Sequence, residues 1–407
     1  MAPVISLIKE SENSIPGDSD TFTLSFSAFS VNIIFGIINQ IKSVSLLITE
    51  IRSSDDAKTL GLVNASNSMY SEAFCRYDVQ FFKAIFYQLL KTINFLRVPE
   101  IDCLGRILLV DGSLFPAIST MDWACYKSTA NAIKMHLAYD LGKMISVQFL
   151  VREGNYSEKK FLSDILEKGT TYVCDRGYIS FKIFKKICNN GAFFVIRGKN
   201  KMQYIVQEQL VVDIPDQFLA FINKVIDIKV TFKNDKNTNS YRIVKFVALG
   251  EKYVLITNRF DLTTYQVIML YAYRWQIELF FRFIKRTLKG IHLLSHNPNG
   301  IQVQFYLYII AHLLLLAFKQ ECERASDKRK LIADCEITTH TIGNIQVDLR
   351  KDIKTNAGRT YVKGLLTMLG EGLQKYWKIG LHWLTVLIKS LLKTFDINIV
   401  LTLSLYK

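Results

Sequence analysis

The chain has 407 residues, half of them apolar, and carries 51 Lys and Arg against 36 Asp and Glu, a net charge of +15. That size supports a substantial core and two or three structural units, and so large a basic excess speaks of an anionic partner rather than of any fold. Seven cysteines, odd in number and without a C-x-x-C pair, point to a reducing cytosol and exclude a disulfide framework or a zinc site.

Residues 1–22, rich in Ser, Asp, Glu and Asn, read as a flexible leader. Residues 23–100 carry helical apolar stripes at Val31–Leu47 and Phe81–Phe95, joined by a polar connector at Ser53–Asn67. They read as a helical N-terminal domain that either binds DNA or only packs. The apolar segment Phe26–Ile38 follows an acidic leader, unlike a signal peptide.

From Gly105 the rhythm changes. Arg106–Val110 is a continuous apolar run ending at Asp111-Gly112, as a buried central strand would. Ala130–Tyr139 and Lys143–Val151 predict a hairpin. Helices follow at Tyr156–Lys168 and Phe181–Asn189, and strands at Thr171–Cys174 and Ala192–Ile196. Three strands and then alternating helix and strand predict a mixed sheet flanked by helices, an α/β fold. Residues 198–250 break the pattern with three strand-like pieces and read as a β-rich insertion. The core resumes at Tyr253–Thr257 and leads into Leu262–Lys289, whose end, YAYRWQIELFFRFIKRTLK, predicts one long helix without Pro or Gly. Further on, the longest apolar run, Phe305–Phe318, contains His312 and falls short of the ~20 residues that a membrane span needs. This leaves nucleic acid as the leading partner. Residues 321–407 read as a C-terminal helical segment whose amphipathic Tyr376–Phe395 stretch serves either dimerisation or capping of the core.

Two acids stand at the ends of predicted core strands, Asp111 in LLVDGS and Asp175 in YVCDRGY. A strand end is rigid and open to solvent, the combination that a metal ligand needs. A third, Glu278, lies on the long helix. At about 100° per residue, Tyr271, Arg274, Glu278 and Lys285 fall within roughly 60° of one another, opposite an apolar side of Ile277, Leu279, Phe280, Phe283 and Ile284. Three carboxylates can hold two divalent cations for phosphodiester chemistry, and an oxygen-only donor set suits magnesium or manganese rather than zinc. Taken singly, each acid has a plainer reading: Asp before Gly forms turns, and Glu278 can pair with Arg282 at i+4. The conjunction carries the case. Around it, Arg176 and the lysines that follow form a basic stretch suited to phosphates, and Arg282 and Lys289 lie near the stripe of the helix. Lys134 and His136 alternate on a strand near Asp111, as a DNA contact or as an ordinary strand face.

The order Asp111, Asp175, Glu278 on this series of elements resembles the DDE transposases with a ribonuclease H-like core. The spacing Tyr271-x2-Arg274-x3-Glu278-x6-Lys285 is similar to the Tyr-Arg-Glu-Lys signature of the insertion-sequence-4 family of bacterial transposases, and the likeness covers roughly residues 22–320. The resemblance implies a ribonuclease H-like catalytic domain at 101–320 with its β-rich insertion at 198–250. It implies that Asp111, Asp175 and Glu278 are catalytic and bind two Mg2+, with Mn2+ able to substitute. Tyr271, Arg274 and Lys285 would hold the DNA end; Arg176, Arg282 and Lys289 lie outside the signature and are DNA-contact candidates by charge and position alone. The chemistry implied is nicking, hairpin formation and opening, and strand transfer to target DNA, within a homodimer synapsed on the terminal inverted repeats, in the cytoplasm and without a membrane partner. The rival readings are a ribonuclease H-like nuclease that cuts without joining, and a decayed or domesticated transposase that only binds DNA.

Overall fold

The structure is a computed structural model and describes residues 2–15, 18–93, 99–127, 130–219, 222–235, 239–248 and 250–335. The amphipathic stretch Tyr376–Phe395 lies outside the described residues. Two compact units are present, each drawn from separated parts of the chain.

The first unit is helical. Helix Phe26–Ile38 is buried along most of its length, and the edge-on rings of Phe26, Phe29, Phe74, Tyr77 and Phe82 fill its surroundings. Serines start the local helices: Ser25, Ser43 and Ser66 each accept the N–H three residues on, and Asp78 accepts that of Gln80, so the first open N–H groups are satisfied. Residues 1–22 do not form the expected flexible leader throughout. Ala2–Asn13 is a helix whose Val4, Leu7 and Ile8 are buried, because those residues recur at helical spacing and supply an apolar stripe. Asp18 is buried too, accepting from the Phe26 N–H at 2.6 Å and the Tyr77 hydroxyl at 2.9 Å. Helix Pro298–Cys335 packs in this unit against Phe26–Ile38 and Val79–Thr92. Its stretch Pro298–Ala317 is longer than the run expected from sequence, and has the length and apolarity of a membrane span. However, 83% of it is buried, so the apolar faces are already taken up by the helices around them.

The second unit is built on a mixed sheet of strands β1 (Ile107–Pro116), β3 (Ala130–Asp140), β4 (Ile145–Glu153), β5 (Thr171–Cys174), β6 (Phe193–Arg197), β7 (Tyr204–Gln209), β8 (Ile222–Phe232), β9 (Ser240–Ala248) and β10 (Glu251–Thr257); the short β2 (Cys125–Lys127) and the first residues of β3, with which it pairs, fall in the first unit. The order runs β3-β1-β5-β6-β10-β9-β8-β7, and β4 pairs with β3. β1, β5 and β6 are parallel, and from β6 outward the pairing is antiparallel. Residues 198–250 therefore do not form a sheet of their own but widen the central one. The parallel centre is apolar on both faces, as strands covered on two sides must be. Leu108, Val110, Tyr172, Cys174, Phe194 and Ile196 face helices Glu158–Asp164 and Phe181–Asn189. The alternate residues Leu109, Val173 and Val195 are equally buried on the other face, where helix Thr264–Ala272 contacts β5 and β6.

Two expectations are corrected here. β1 does not end at Asp111: its parallel pairing with β5 stops at Val110 opposite Cys174, but the strand itself continues to Pro116. The helix expected over residues 271–289 is three pieces, Thr264–Ala272, Trp275–Arg282 and a π-helical turn, Phe283–Thr287. No Pro or Gly breaks it. Instead Arg274, Gln276 and Ile277 bond back only three residues, and Leu288 bonds back five, to Phe283. The ladder tightens at one end and loosens at the other, so a single wheel at 100° per residue does not describe Tyr271 to Lys285.

Candidate active site

Asp111 leaves the sheet where its strand loses its parallel neighbour, and Asp175 follows the last residue of β5 on the adjacent strand. Each carboxylate is oriented locally: Asp111 Oδ1 accepts the Gly112 N–H at 2.8 Å, and Asp175 Oδ1 accepts the Gly177 N–H at 2.7 Å. Glu278 approaches from helix Trp275–Arg282, which anchors itself through buried Ile277 and through Phe280 against Tyr139 of β3, with ring centroids 5.7 Å apart.

One guanidinium joins the two elements. Arg274 Nη2 donates to Glu278 Oε1 at 2.5 Å, and Nη1 lies 3.7 Å from Asp111 Oδ2. Glu278 thus pairs with the arginine four residues before it. Burial pushes the Asp111 carboxyl up to about 6; the Gly112 N–H and Arg274 oppose the shift, while Asp175 and Glu278 add to it. Those last two contributions mean that Asp175 and Glu278 each lie within electrostatic reach of Asp111. Burial works against the charge of Arg274, but Tyr271, Glu278 and Asp111 more than offset it and raise its pKa. The Tyr271 ring lies under the guanidinium, 5.6 Å from it. Its buried hydroxyl is raised by desolvation, with Arg274 and Arg197 opposing. Arg197 in turn sits over Tyr253, which stacks on Phe246.

The remaining expected residues are more scattered. Arg176 is exposed in the single turn after Asp175. Lys285 lies in the π-helical turn, where burial lowers its pKa. Arg282 closes the Glu278 helix, and Lys289 follows the turn with φ +57°. Among the described residues, no group of three His, Cys, Asp or Glu side chains closes on a common point as placed; Arg274 lies between Asp111 and Glu278 instead. Sequence reading missed the approach of Arg197 to Tyr271, and of Glu158 to the glycines after the two aspartates. Both depend on contacts far apart in sequence, and neither residue carries a local signal.

The raised Asp111 carboxyl has a measurable consequence in metal-free protein. It ionises at about 6 in the folded chain against an ordinary 3.8, so the folded state holds the extra proton in that window, and stability falls as pH rises through it. Asp111→Asn escapes that loss. In EDTA its thermal midpoint is expected to exceed the wild type's by more at pH 7.5 than at pH 4. A difference independent of pH would contradict the burial of this charge.

A model of the transposase DDE domain matches residues 102–314, just over half of the chain. The chain belongs to this family. Its relatives include a chain of Sinorhizobium fredii (strain NGR234) named as transposase y4zB, 28% identical over 52% of this chain and 61% of that one. A second, of Synechocystis sp. (strain PCC 6803), is named as the transposase of insertion sequence element IS4SA and is 24% identical over 61% of this chain and 70% of its own. A third, of Geobacillus stearothermophilus, is named as the transposase of insertion sequence element IS5377 and is 22% identical over 48% and 52%. The match therefore spans under two thirds of the first and third relatives' lengths. The family match runs from just before β1 into helix Pro298–Cys335, and so takes in Asp111, Asp175 and Glu278 together.

Proposed function

We propose that this chain is the transposase of a bacterial insertion sequence of the insertion-sequence-4 type, cutting the ends of its own element and joining them to target DNA through a hairpin intermediate. The observation that carries the reading is the convergence of Asp111 and Glu278 on one Arg274 guanidinium, with Asp175 in electrostatic reach. Carboxylates from a strand and from a helix far along the chain gain nothing in stability by crowding together, since Asp111 carries both desolvation and repulsion.

The donor set suits a hard divalent cation. It is carboxylate oxygen only, with Arg274 between Asp111 and Glu278, and magnesium or manganese prefers such ligands. Asp111, Asp175 and Glu278 are the residues that would hold it. Bound there, the metal pair supplies activation of the attacking hydroxyl and stabilisation of the leaving oxygen.

The protein's own groups position the DNA. Arg274 presents a planar donor fork suited to two phosphate oxygens, and Tyr271 underlies it and limits its swing. Lys285, partly desolvated in its turn, offers a single point charge to a neighbouring phosphate. Arg176, Arg282 and Lys289 each add a positive charge for the DNA backbone, giving salt-sensitive affinity without sequence preference. The partner is DNA, engaged at the terminal repeats and the target by a homodimer.

The test uses the purified protein and duplexes that carry the ends of its element. Nicking, then hairpin formation, should appear with Mg2+ or Mn2+ and vanish with EDTA. Lys285→Ala should nick but accumulate little hairpin. Binding without metal-dependent cleavage would overturn the enzymatic reading in favour of a DNA-binding role, and wild-type hairpin rates in Lys285→Ala would remove that residue's role.

A further inference from the structure

A fourth carboxylate stands beside the two strand aspartates. Glu158 begins the helix that covers one face of the sheet, and its position is fixed by two glycines. A methyl group at Gly177 would come within 2.8 Å of Glu158 Oε2 and 3.0 Å of Asp175 Oδ1, so the two carboxylates flank a single glycine. A methyl at Gly112, next to Asp111, would meet Glu158 Oε1 and His136 Nδ1, each at 3.4 Å. The carboxylate of Glu158 thus reaches from the glycine after one aspartate to the glycine after the other. Its field is felt with theirs: the buried Tyr178 hydroxyl, driven up first by desolvation, is driven further by Cys174, Asp111, Glu158 and Asp175.

Two side chains of β3 face this carboxylate. Lys134 Nζ donates to Glu158 Oε1 at 2.8 Å, with both groups largely out of solvent. Two residues on along the same face, His136 is fully buried, and neither of its ring nitrogens has a hydrogen-bond partner. Tyr156 and Phe161 pack against the ring by their edges and faces, offering it no polar contact. An ion pair between Lys134 and Glu158 explains two of these three residues. It leaves the imidazole unaccounted for, since a buried polar group without a partner is costly, and its Nδ1 and Glu158 Oε1 both border Gly112. A ligand carrying O–H groups beside Gly112 would satisfy both.

We propose that Glu158 is a positioning residue of the site. Together with His136 it holds the water shell of the divalent cation carried by Asp111 and Asp175, and Lys134 covers it until that cation arrives. The inference rests on the metal-binding reading of the two aspartates given above. Glu158 touches neither the DNA nor the reacting phosphorus; it acts through the hydrated cation, as hydrogen-bonding partners of metal ligands do.

Mn2+ binding to the full chain without DNA, followed by electron paramagnetic resonance, tests it. Glu158→Gln keeps the shape and removes the charge, and should weaken Mn2+ binding about 10- to 100-fold. Lys134→Met uncovers the carboxylate and should tighten Mn2+ binding. Wild-type affinity in Glu158→Gln would overturn the inference. If that variant does not fold, Lys134→Met decides, and an affinity no greater than wild type overturns it. Asp111→Asn separates the two levels of argument. Mn2+ binding retained there would sink the metal site itself, whereas binding lost there but intact in Glu158→Gln sinks only the role of Glu158.

Discussion

Asp111→Asn is expected to bind the ends of the element as tightly as wild type and to cut them at least about 10³-fold more slowly, the scale of loss when one member of a catalytic unit is removed. The substitution changes one oxygen for a nitrogen in a side chain already aligned by the Gly112 N–H, so packing and backbone stay as they are. What goes is half of the negative charge that Arg274 bridges. Asp175→Asn and Glu278→Gln should behave alike, and the double variant should lose little more than either single one, because residues that act as a unit fail together. Gel-based cleavage assays beside filter-binding measurements separate the two properties. Cleavage within about tenfold of wild type in any of the three would remove that residue from the catalytic set. DNA binding that falls in parallel with cleavage would mean that the carboxylates support the fold of the site rather than its chemistry.

The second large effect is on stability. Asp227→Ala should lower the stability of the sheet unit by about 3–5 kcal/mol, the cost of leaving a buried partner charge alone. Asp227 of β8 is fully buried and accepts from two of the three arms of Arg242 on β9, Nε at 2.9 Å and Nη2 at 2.6 Å, together with the Thr264 hydroxyl at 2.7 Å. The third arm of Arg242 donates to the carbonyls of Arg259 and Leu262, in the link that leads to helix Thr264–Ala272. Removing the acid strands that guanidinium. In a domain of this size the loss corresponds to a fall of about 10 °C in the thermal midpoint. Replacing both partners at once, Asp227→Leu with Arg242→Met, should recover much of it, since an apolar pair of similar volume needs no compensation. A single variant that melts within about 2 °C of wild type would show that water reaches the pair.

Where sequence reading succeeded, it relied on features that local physics fixes. Thr171–Cys174 and Phe181–Asn189 fall where apolar run length and helical spacing put them, and Asp175 follows from the first of these. Where it failed, tertiary contacts chose among locally similar options. Asp111-Gly112 looks like a strand ending in a turn, but pairing beyond β5 carries β1 on to Pro116. Nothing in YAYRWQIELFFRFIKRTLK signals a break, because neither the three-residue tightening nor the π-helical turn needs Pro or Gly. The Tyr-Arg-Glu-Lys spacing offers candidate residues but says nothing of their arrangement. That Arg274 would pair with Asp111 is a fact of the fold, since the two residues share no local pattern.

The broken helix has a mechanical consequence. Asp111 is embedded in an extended strand that continues on both sides of it, whereas Glu278 rides on eight residues of helix held between an overwound and an underwound turn. Strands in a wide sheet resist displacement, and a short segment with a slack turn at one end can rotate by changing only that turn. The acidic pair is therefore built like a vice whose two jaws have unequal support, the strand side firm and the helix side short. Amide hydrogens at Leu109 and Val110 should exchange with deuterium far more slowly than those from Glu278 to Leu288. Were the gap between the carboxylates to change, the glutamate is the side expected to travel.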